Sequence, residues 1–397
     1  VIIQIEDFSI KNKVKNSPKL IFVGNTSFFI YNYLLGVIKA FRGDGFEVVL
    51  VIPEDEYSQT LREEGFRCIP IRGLDRKGAN GFRDVKLMLE LYEIYQAEKP
   101  DLILHYTIKL NVYGTFAARL AKVPSVCTVT GLGWLFTEKT LVTLIGGLLY
   151  KILYKIAFAI ALNVVFQNTS DQAFFIKNKL VRKEKASLTP GPGVDTGYFS
   201  PDSCKCINRD QGNFVFLLLA RMLWDKGIGE LVEAARMIKK DYPSVEFWLV
   251  GPTDRENRAA IPEDVIRAWE EEGVIKYFGM SNDVRSFLCD CDVAILPSYR
   301  EGTASSLIEA MAVGKPVITT DAVGCRDVVE DGRNGFMVPV KDYQALAHAI
   351  KRYILLSSEE KIEMGRYSRE KALREFDKKI VIDVYRKIIN CAMGSAG

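Results

Sequence analysis

Twice along this chain, short apolar runs alternate with longer amphipathic segments, and that rhythm limits the fold more than any other feature. Between Pro18 and Pro190 the strand-like runs are Leu20-Ile-Phe-Val-Gly24, Glu47-Val-Val-Leu-Val-Ile52, Arg67-Cys-Ile-Pro-Ile71, Asp101-Leu-Ile-Leu-His105 and Ser125-Val-Cys-Thr-Val-Thr130. Phe28 to Phe41, Tyr57 to Glu64, Asp84 to Glu98 and Tyr113 to Ala121 read as the helices among them. The rhythm restarts after Asn208-Arg-Asp-Gln-Gly212. Its strands are Phe214 to Ala220, Val245 to Gly251, Val274 to Gly279, Val293 to Leu296 and Pro316 to Thr320, with Gly229 to Lys240 as a helix and a mostly helical tail from Tyr343. Apolar strands alternating with helices form a parallel sheet covered on both faces. Between the two series lies Thr189-Pro-Gly-Pro-Gly-Val-Asp-Thr-Gly197, whose prolines and glycines make the strongest linker signal in the chain. The expected fold is therefore α/β, with two doubly wound Rossmann-like domains facing each other across a cleft. Residues 1–190 form the first, 191–369 the second, and 370–397 a helical tail that can cross back to the first. Ligands of such sheets bind at the carboxyl ends of the strands, and a cleft between two domains is the default site.

Composition excludes several alternatives. A net charge of +3 over 397 residues is too small to imply nucleic acid binding. With only His105 and His348 present, a histidine-rich metal site is excluded. The cysteine pairs Cys204/Cys206 and Cys289/Cys291 have one-residue spacing, which fits neither zinc nor a redox motif, so reduced thiols in a cytoplasmic protein are expected. The start, Val1-Ile-Ile-Gln-Ile-Glu6, is too short and too soon charged for a secretory signal. Leu141 to Phe166 is about long enough to span a bilayer. Yet Lys151 and Lys155 lie on one helical face, and a charge at the bilayer centre costs roughly 3 kcal/mol or more. A core helix followed by the strand of Asn163-Val-Val-Phe-Gln-Asn168 is the better reading, with the lysine face available to a membrane surface.

Glu301-Gly-Thr-Ala-Ser-Ser-Leu-Ile-Glu309 is the richest motif. The first glutamate follows a strand, the second lies in a helix, and Gly302, Thr303, Ala304, Ser305 and Ser306 stand at the expected helix start. Unpaired N–H groups at a helix N-terminus can hold a phosphate, and small residues let it come close. Alone, the pattern is equally a surface glutamate and a capped helix. Arg221-Met-Leu-Trp-Asp-Lys226-Gly227 follows the first strand of the second series. It offers two cations where strand yields to helix, a good place for a diphosphate and also an ordinary position for solvated charges. That both motifs fall at strand ends of one domain is more specific than either.

With these residues on view, the chain resembles the retaining glycosyltransferases of family 4, which have the GT-B fold. The resemblance is carried by Arg221-x4-Lys226-Gly227, Gly251, Phe278-Gly279, Glu301-x7-Glu309, Gly314-Lys-Pro-Val-Ile-Thr319, Asp331-Gly-Arg-Asn-Gly335-Phe336 and Gly193-Val-Asp-Thr-Gly-Tyr-Phe-Ser-Pro201. Thr107 to Gly114 and Val129 to Gly133 extend it toward the bacterial subgroup that builds surface polysaccharides and lipid-linked oligosaccharides. The resemblance implies that Arg221 and Lys226 bind the donor diphosphate, Glu309 holds the ribose hydroxyls and Glu301 lies beside the donor sugar, so that Glu301, Arg221 and Lys226 carry catalysis. It implies further donor contacts from Gly279 and Met280 at the base, from the N–H groups around Gly302, Thr303, Ala304 and Ser305 at the phosphate, and from the turn at Gly24.

The acceptor side is less marked. Lys109 and Asn111 are candidates, as are Arg76 and Lys77 in a polar loop. Many family members have a histidine where this chain has Thr130, which can hydrogen-bond a sugar hydroxyl but is a poor base. The implied reaction moves an N-acetylhexosamine or hexose, with retention, from a UDP-sugar to a glycan or a polyprenyl-diphosphate-linked sugar. The resemblance implies no metal and no cofactor beyond the donor, cationic side chains standing in for a metal. The protein would work in the cytoplasm, with peripheral contact to the inner membrane. A nucleotide-sugar epimerase and a non-catalytic nucleotide-sugar-binding protein are the competing readings. A dehydrogenase is disfavoured because Val23-Gly24-Asn25-Thr26 lacks the dinucleotide fingerprint.

Overall fold

The computed structural model describes residues 17–75, 81–131, 141–203, 213–254, 257 and 259–394. They fall into two compact units, Gly193–Lys378 and the remainder, Val1–Pro192 with Lys379–Gly397.

The first unit is a seven-stranded sheet in the order β3-β2-β1-β4-β5-β6-β7. The strands are β1 Lys19–Val23, β2 Glu47–Ile52, β3 Arg67–Pro70, β4 Leu102–Tyr106, β5 Ser125–Val129, β6 Asn163–Phe166 and β7 Ala186–Leu188, all parallel. The short edge strand β7, only three residues long, was not expected. Alternation along β1 divides the core. Leu20 and Phe22 join Leu50 and Leu104 on one face, and Ile21 and Val23 join Val49 and Ile103 on the other. The first face is covered by α1, which comprises Ser27–Phe29, a π-helical turn Ile30–Leu34 and Leu35–Gly43, and by α2, Glu56–Glu63. The C-terminal helix Lys378–Ala392 adds Val381, Tyr385, Ile388 and Ile389 to that layer. The other face carries α3 (Gly81–Glu98), α4 (a π-helical turn Leu110–Gly114 followed by Thr115–Leu120) and α5 (Leu141–Ile160). On α5, Tyr154, Ala157 and Phe158 turn inward against Phe166 and against Phe175 of α6, Thr169–Lys177. Among the described residues no helix is long and apolar enough to cross a membrane.

The second unit is a six-stranded parallel sheet in the order β10-β9-β8-β11-β12-β13. Its strands are β8 Val215–Leu219, β9 Glu246–Val250, β10 Lys276–Tyr277, β11 Val293–Leu296, β12 Val317–Thr320 and β13 Gly335–Val338. Phe216 and Leu218 pack against α7 (Ile228–Asp241) and later against the buried side of a helix at Tyr343–Ile354, while Val215 and Leu217 face the layer that contains Ala304, Leu307 and Met311. The unit runs to Lys378 because Val194 bridges Asp377 and accepts from the Lys378 N–H at 2.8 Å, beyond the expected break at 369. Cys289 is disulfide-bonded, which corrects the expectation of reduced thiols throughout.

Candidate functional site

In the second unit the strand order reverses between β8 and β11, and a crevice opens at the carboxyl ends of two strands whose connections leave in opposite directions. The loop after β8 carries Arg221 and Lys226, and the loop after β11 carries Glu301. Lys226 Nζ stands 2.6 Å from Glu301 Oε1, with the two side chains 15% and 13% exposed. Gly227 makes that approach possible. It sits at φ +71°, and a Cβ there would lie 2.0 Å from the Pro297 carbonyl oxygen. The loops are stitched together, since the Ser298 hydroxyl donates to the Asp225 carbonyl at 3.1 Å and the Tyr299 N–H donates to the same oxygen at 2.9 Å. Behind Glu301, its own N–H donates to the Val323 carbonyl at 2.9 Å.

Arg221 is half exposed, and Asp254 holds its guanidinium at 3.0 Å. The helix after Glu301, designated α10 here, spans Ser305–Ala312; α8 (Glu263–Glu271) and α9 (Arg285–Asp290) precede it. No side chain caps α10. Two of the N–H groups expected to meet a phosphate are engaged within the protein: Ala304 donates to the Gly324 carbonyl at 3.0 Å and Ser305 to the Thr303 carbonyl at 2.9 Å. Ala304 itself is buried. The tight turn anchored on Gly324 is the reason, and it moves the candidate donors toward Ser306. Glu309 lies in the second turn, half-buried. Desolvation pushes its carboxyl up to about 7, a rise that the charge of Lys378 opposes. The Gly279 carbonyl accepts from the Gly251 N–H at 2.8 Å, with Met280 exposed beside it.

The corresponding reversal in the first unit lies between β1 and β4. Gly24 follows β1 and is buried; a Cβ there would come within 2.7 Å of the Ile30 side chain, so the glycine has a packing reason. Lys109 is held by Asp84 at 2.7 Å, with side-chain exposures of 13% and 4%. Asn111 is corrected as an acceptor contact. It is fully buried, its amide donates to the Thr128 carbonyl at 2.8 Å, and its oxygen accepts from the Thr128 N–H at 3.2 Å. The side chain imitates a neighbouring strand, and its complete burial keeps it from a ligand. Thr130 stands half-buried just past β5. His105 is wholly buried beside Tyr95, and burial lowers its pKa to about 3, so it stays neutral. Arg76 and Lys77 lie outside the described residues.

Comparison with known proteins now decides the family. The family model for glycosyl transferases group 1 matches residues 203–371, and that for glycosyl transferase 4-like proteins matches residues 19–168. The chain belongs to the family 4 glycosyltransferases. It is 29% identical over 382 residues to the N,N'-diacetylbacillosaminyl-diphospho-undecaprenol alpha-1,3-N-acetylgalactosaminyltransferase of Campylobacter jejuni, covering 92% of this chain and 97% of that protein. It is 28% identical over 283 residues to the UDP-Gal:alpha-D-GlcNAc-diphosphoundecaprenol alpha-1,3-galactosyltransferase of Escherichia coli, covering 68% and 70%. Among solved structures, Anabaena HepE in complex with UDP and glucose matches with a TM-score of 0.75 at 19% identity, over 94% of this chain and all of that one. Sucrose-phosphate synthase from Thermosynechococcus elongatus matches with a TM-score of 0.78 at 18% identity, over 96% and 100%. These neighbours establish the GT-B fold.

In this glycosyltransferase the sequence brings Lys226 and Glu301 together as their motifs suggested, but four supporting residues escaped it. Asp254 gives no motif signal. Gly324, at φ +78°, would put a Cβ 2.4 Å from the Glu301 carbonyl oxygen, and the Val323-Gly324 pair after β12 was the available clue. Tyr299 donates to Glu230 at 2.6 Å, fixing the Glu301 loop to α7. Thr107, β-branched yet at φ +73°, marks the end of β4 as strained.

Proposed function

We propose that the enzyme transfers an N-acetylhexosamine or hexose from a UDP-linked donor to a sugar carried on polyprenyl diphosphate, or to a growing glycan, with retention at the anomeric carbon, in bacterial surface-glycan assembly. The observation that carries the reading is the Lys226–Glu301 pair at the β8/β11 reversal, beside an α10 N-terminus that no side chain caps. A diphosphate placed there meets one half-buried cation at Lys226, one exposed cation at Arg221 and the positive end of a helix. The charge that develops as the glycosidic C1–O bond breaks falls on the phosphate oxygen nearest these groups, so they stabilise the transition state more than the ground state. The acceptor hydroxyl oxygen forms the new bond to C1 on the face the diphosphate leaves, and its proton passes to the departing phosphate oxygen. Glu301 orients the donor sugar, and Glu309, as a carboxylate, accepts from the ribose diol. Gly279 and Met280 border the base. No metal or further cofactor is part of this scheme.

The relatives from Campylobacter jejuni and Escherichia coli bear names that place their substrates on undecaprenyl diphosphate, which supports the lipid-linked acceptor. The solved complex of HepE with UDP supports the nucleotide. The test is a thermal-shift series with UDP, GDP, ADP and their sugars, because a ligand that binds only the folded state raises the midpoint. A rise with UDP or UDP-N-acetylhexosamines, lost in K226A and E309A, supports the site. A rise with GDP or ADP alone overturns the donor, and full turnover in R221A, K226A and E309A alike overturns the site. Product analysis without acceptor separates transfer from epimerisation.

A further inference from the structure

Between β10 and α9 of the second unit runs the loop 278–284, which holds Gly279 and Met280. Its first residues are anchored on the sheet. The Phe278 N–H donates to the Leu249 carbonyl at 3.0 Å, and the Phe278 ring meets Trp248 and Phe287 edge-on at 5.2 and 5.1 Å. Its last residues are anchored on Arg285. The Asp283 carboxylate accepts from the Arg285 backbone N–H at 3.0 Å, and the Arg285 side chain closes on both carboxylate oxygens, Nε to Oδ1 at 2.9 Å and Nη2 to Oδ2 at 2.6 Å. Between the two anchors, the Ser281 hydroxyl donates to the Asp283 carbonyl at 2.9 Å and folds the stretch into a turn.

The flat face of the same guanidinium lies over the Tyr198 ring, 4.0 Å from its centroid. Tyr198 belongs to the segment 193–201 that opens the second unit, and that segment is itself tied down. Asp195 Oδ1 accepts from the Gly197 and Tyr198 N–H groups at 3.1 and 2.9 Å, and the Asp195 carbonyl accepts from the Phe199 N–H at 2.8 Å. Phe199 packs against the core layer that contains Leu307 and Met311, and its carbonyl accepts from Arg369 at 2.9 Å. Arg285 therefore gives its edge to the loop and its face to a fixed platform. An exposed ion pair or cation–π contact contributes little to global stability by itself. What this arrangement supplies is geometry: a bidentate fork fixes distance and plane together, and the ring fixes where that plane stands.

A base bordered by main-chain groups is told from another by the N–H and C=O groups that the wrong base leaves unpaired. That discrimination requires the groups to be held to within roughly 0.5 Å. We propose that Arg285 is a positioning residue for nucleobase selection, holding the Gly279–Met280 edge in register for one base by bridging Asp283 to the Tyr198 platform. The inference rests on the donor-site reading, in which that edge borders the base, and adds what selects the base.

The experiment is calorimetric titration of UDP, ADP and GDP into the full chain and its variants, with steady-state transfer and thermal midpoints measured alongside. R285A should raise the Kd of the preferred nucleotide, expected to be UDP, about tenfold, and the KM of its sugar with it. At saturating donor kcat should stay within about twofold, because the groups that meet the leaving diphosphate are untouched. The other nucleotides should change by less than about twofold, so the preference between bases narrows by nearly the whole tenfold. R285K keeps the charge without the planar fork and should recover little. Y198A should lose about threefold and Y198F, which keeps the ring face, nothing; R285A/Y198A should be no worse than R285A, since one joint is broken either way. A merely structural role would move all three nucleotides, kcat and the midpoint together. The proposal is overturned if R285A binds UDP as the unaltered chain does, if all three nucleotides weaken equally, or if the double variant shows the product of the two single losses. An unaltered chain that binds no nucleotide overturns the donor-site reading and this brace with it, whereas nucleotide binding indifferent to R285A removes the brace alone.

Discussion

The two sheets reverse their strand order at equivalent places, β1/β4 in the first unit and β8/β11 in the second, yet the two crevices are furnished differently. At β8/β11 an ion pair, a second cation and an ionisable carboxyl stand on loops and on the first turns of a helix. At β1/β4 the polar groups are turned to architecture. Asn111 completes the β5 backbone, His105 is neutral in the core, and Lys109 is bound to Asp84. Equal topology therefore does not mean equal chemistry: the same crevice carries the proposed reaction site in one sheet and is chiefly a brace in the other.

Substitutions at the two crevices should separate along this line. The largest effect is expected from K226A, with a loss of about 10²- to 10³-fold in kcat, measured by transfer from the UDP-sugar; a loss under tenfold would place the leaving-group charge elsewhere. R221A should cost about tenfold, because an exposed guanidinium is screened and already shared with Asp254. D254N, which frees that guanidinium, should tighten UDP rather than weaken it, as read by titration calorimetry.

A third difference appears in pH dependence. In the proposed site Glu309 accepts from the ribose diol as a carboxylate, and desolvation pushes its carboxyl up to about 7, so donor affinity should fall as pH drops below 7. Stability should move the other way. The folded-state pKa is raised above its ordinary value of 4.5, so the folded chain binds the extra proton and stability declines as pH rises from about 4.5 through about 7. E309Q should flatten both curves, in calorimetric titration and in the thermal midpoint. The smallest catalytic effect belongs to N111A. It should lower stability by about 1–3 kcal/mol by stranding the Thr128 backbone groups, read by urea unfolding, with kcat per folded molecule unchanged. A kcat loss without a stability loss would return Asn111 to the acceptor site.

The same contrast explains what could be read from the sequence. The strands announced themselves because a sheet buried on both faces needs uninterrupted Val, Ile, Leu and Phe. Lys226-Gly227 and Glu301 were legible because strand ends, glycine and charge coincide there. Asn111 was misread because a polar side chain that replaces a strand looks in sequence like one that awaits a ligand, and the π-helical turn Leu110–Gly114 shifts which side faces the sheet. The N–H groups of Ala304 and Ser305 were misassigned because their partners, Gly324 and Thr303, are chosen by the turn and not by residue type. Asp254 lies in the loop after β9, where nothing in the pattern distinguishes it.

The pairing of Lys226 with Glu301 bears on how the proposed reaction ends. A lone ammonium in that position would grip the departing diphosphate as firmly after transfer as before it, and the enzyme would clog on its own by-product. Glu301 is a resident rival for the same cation, always at hand and never consumed. When UDP leaves, the lysine closes on a carboxylate and not on bare solvent, so the exit is an exchange of anions. A chain in which Glu301 were made neutral should hold UDP longer and cycle more slowly, its defect lying in release.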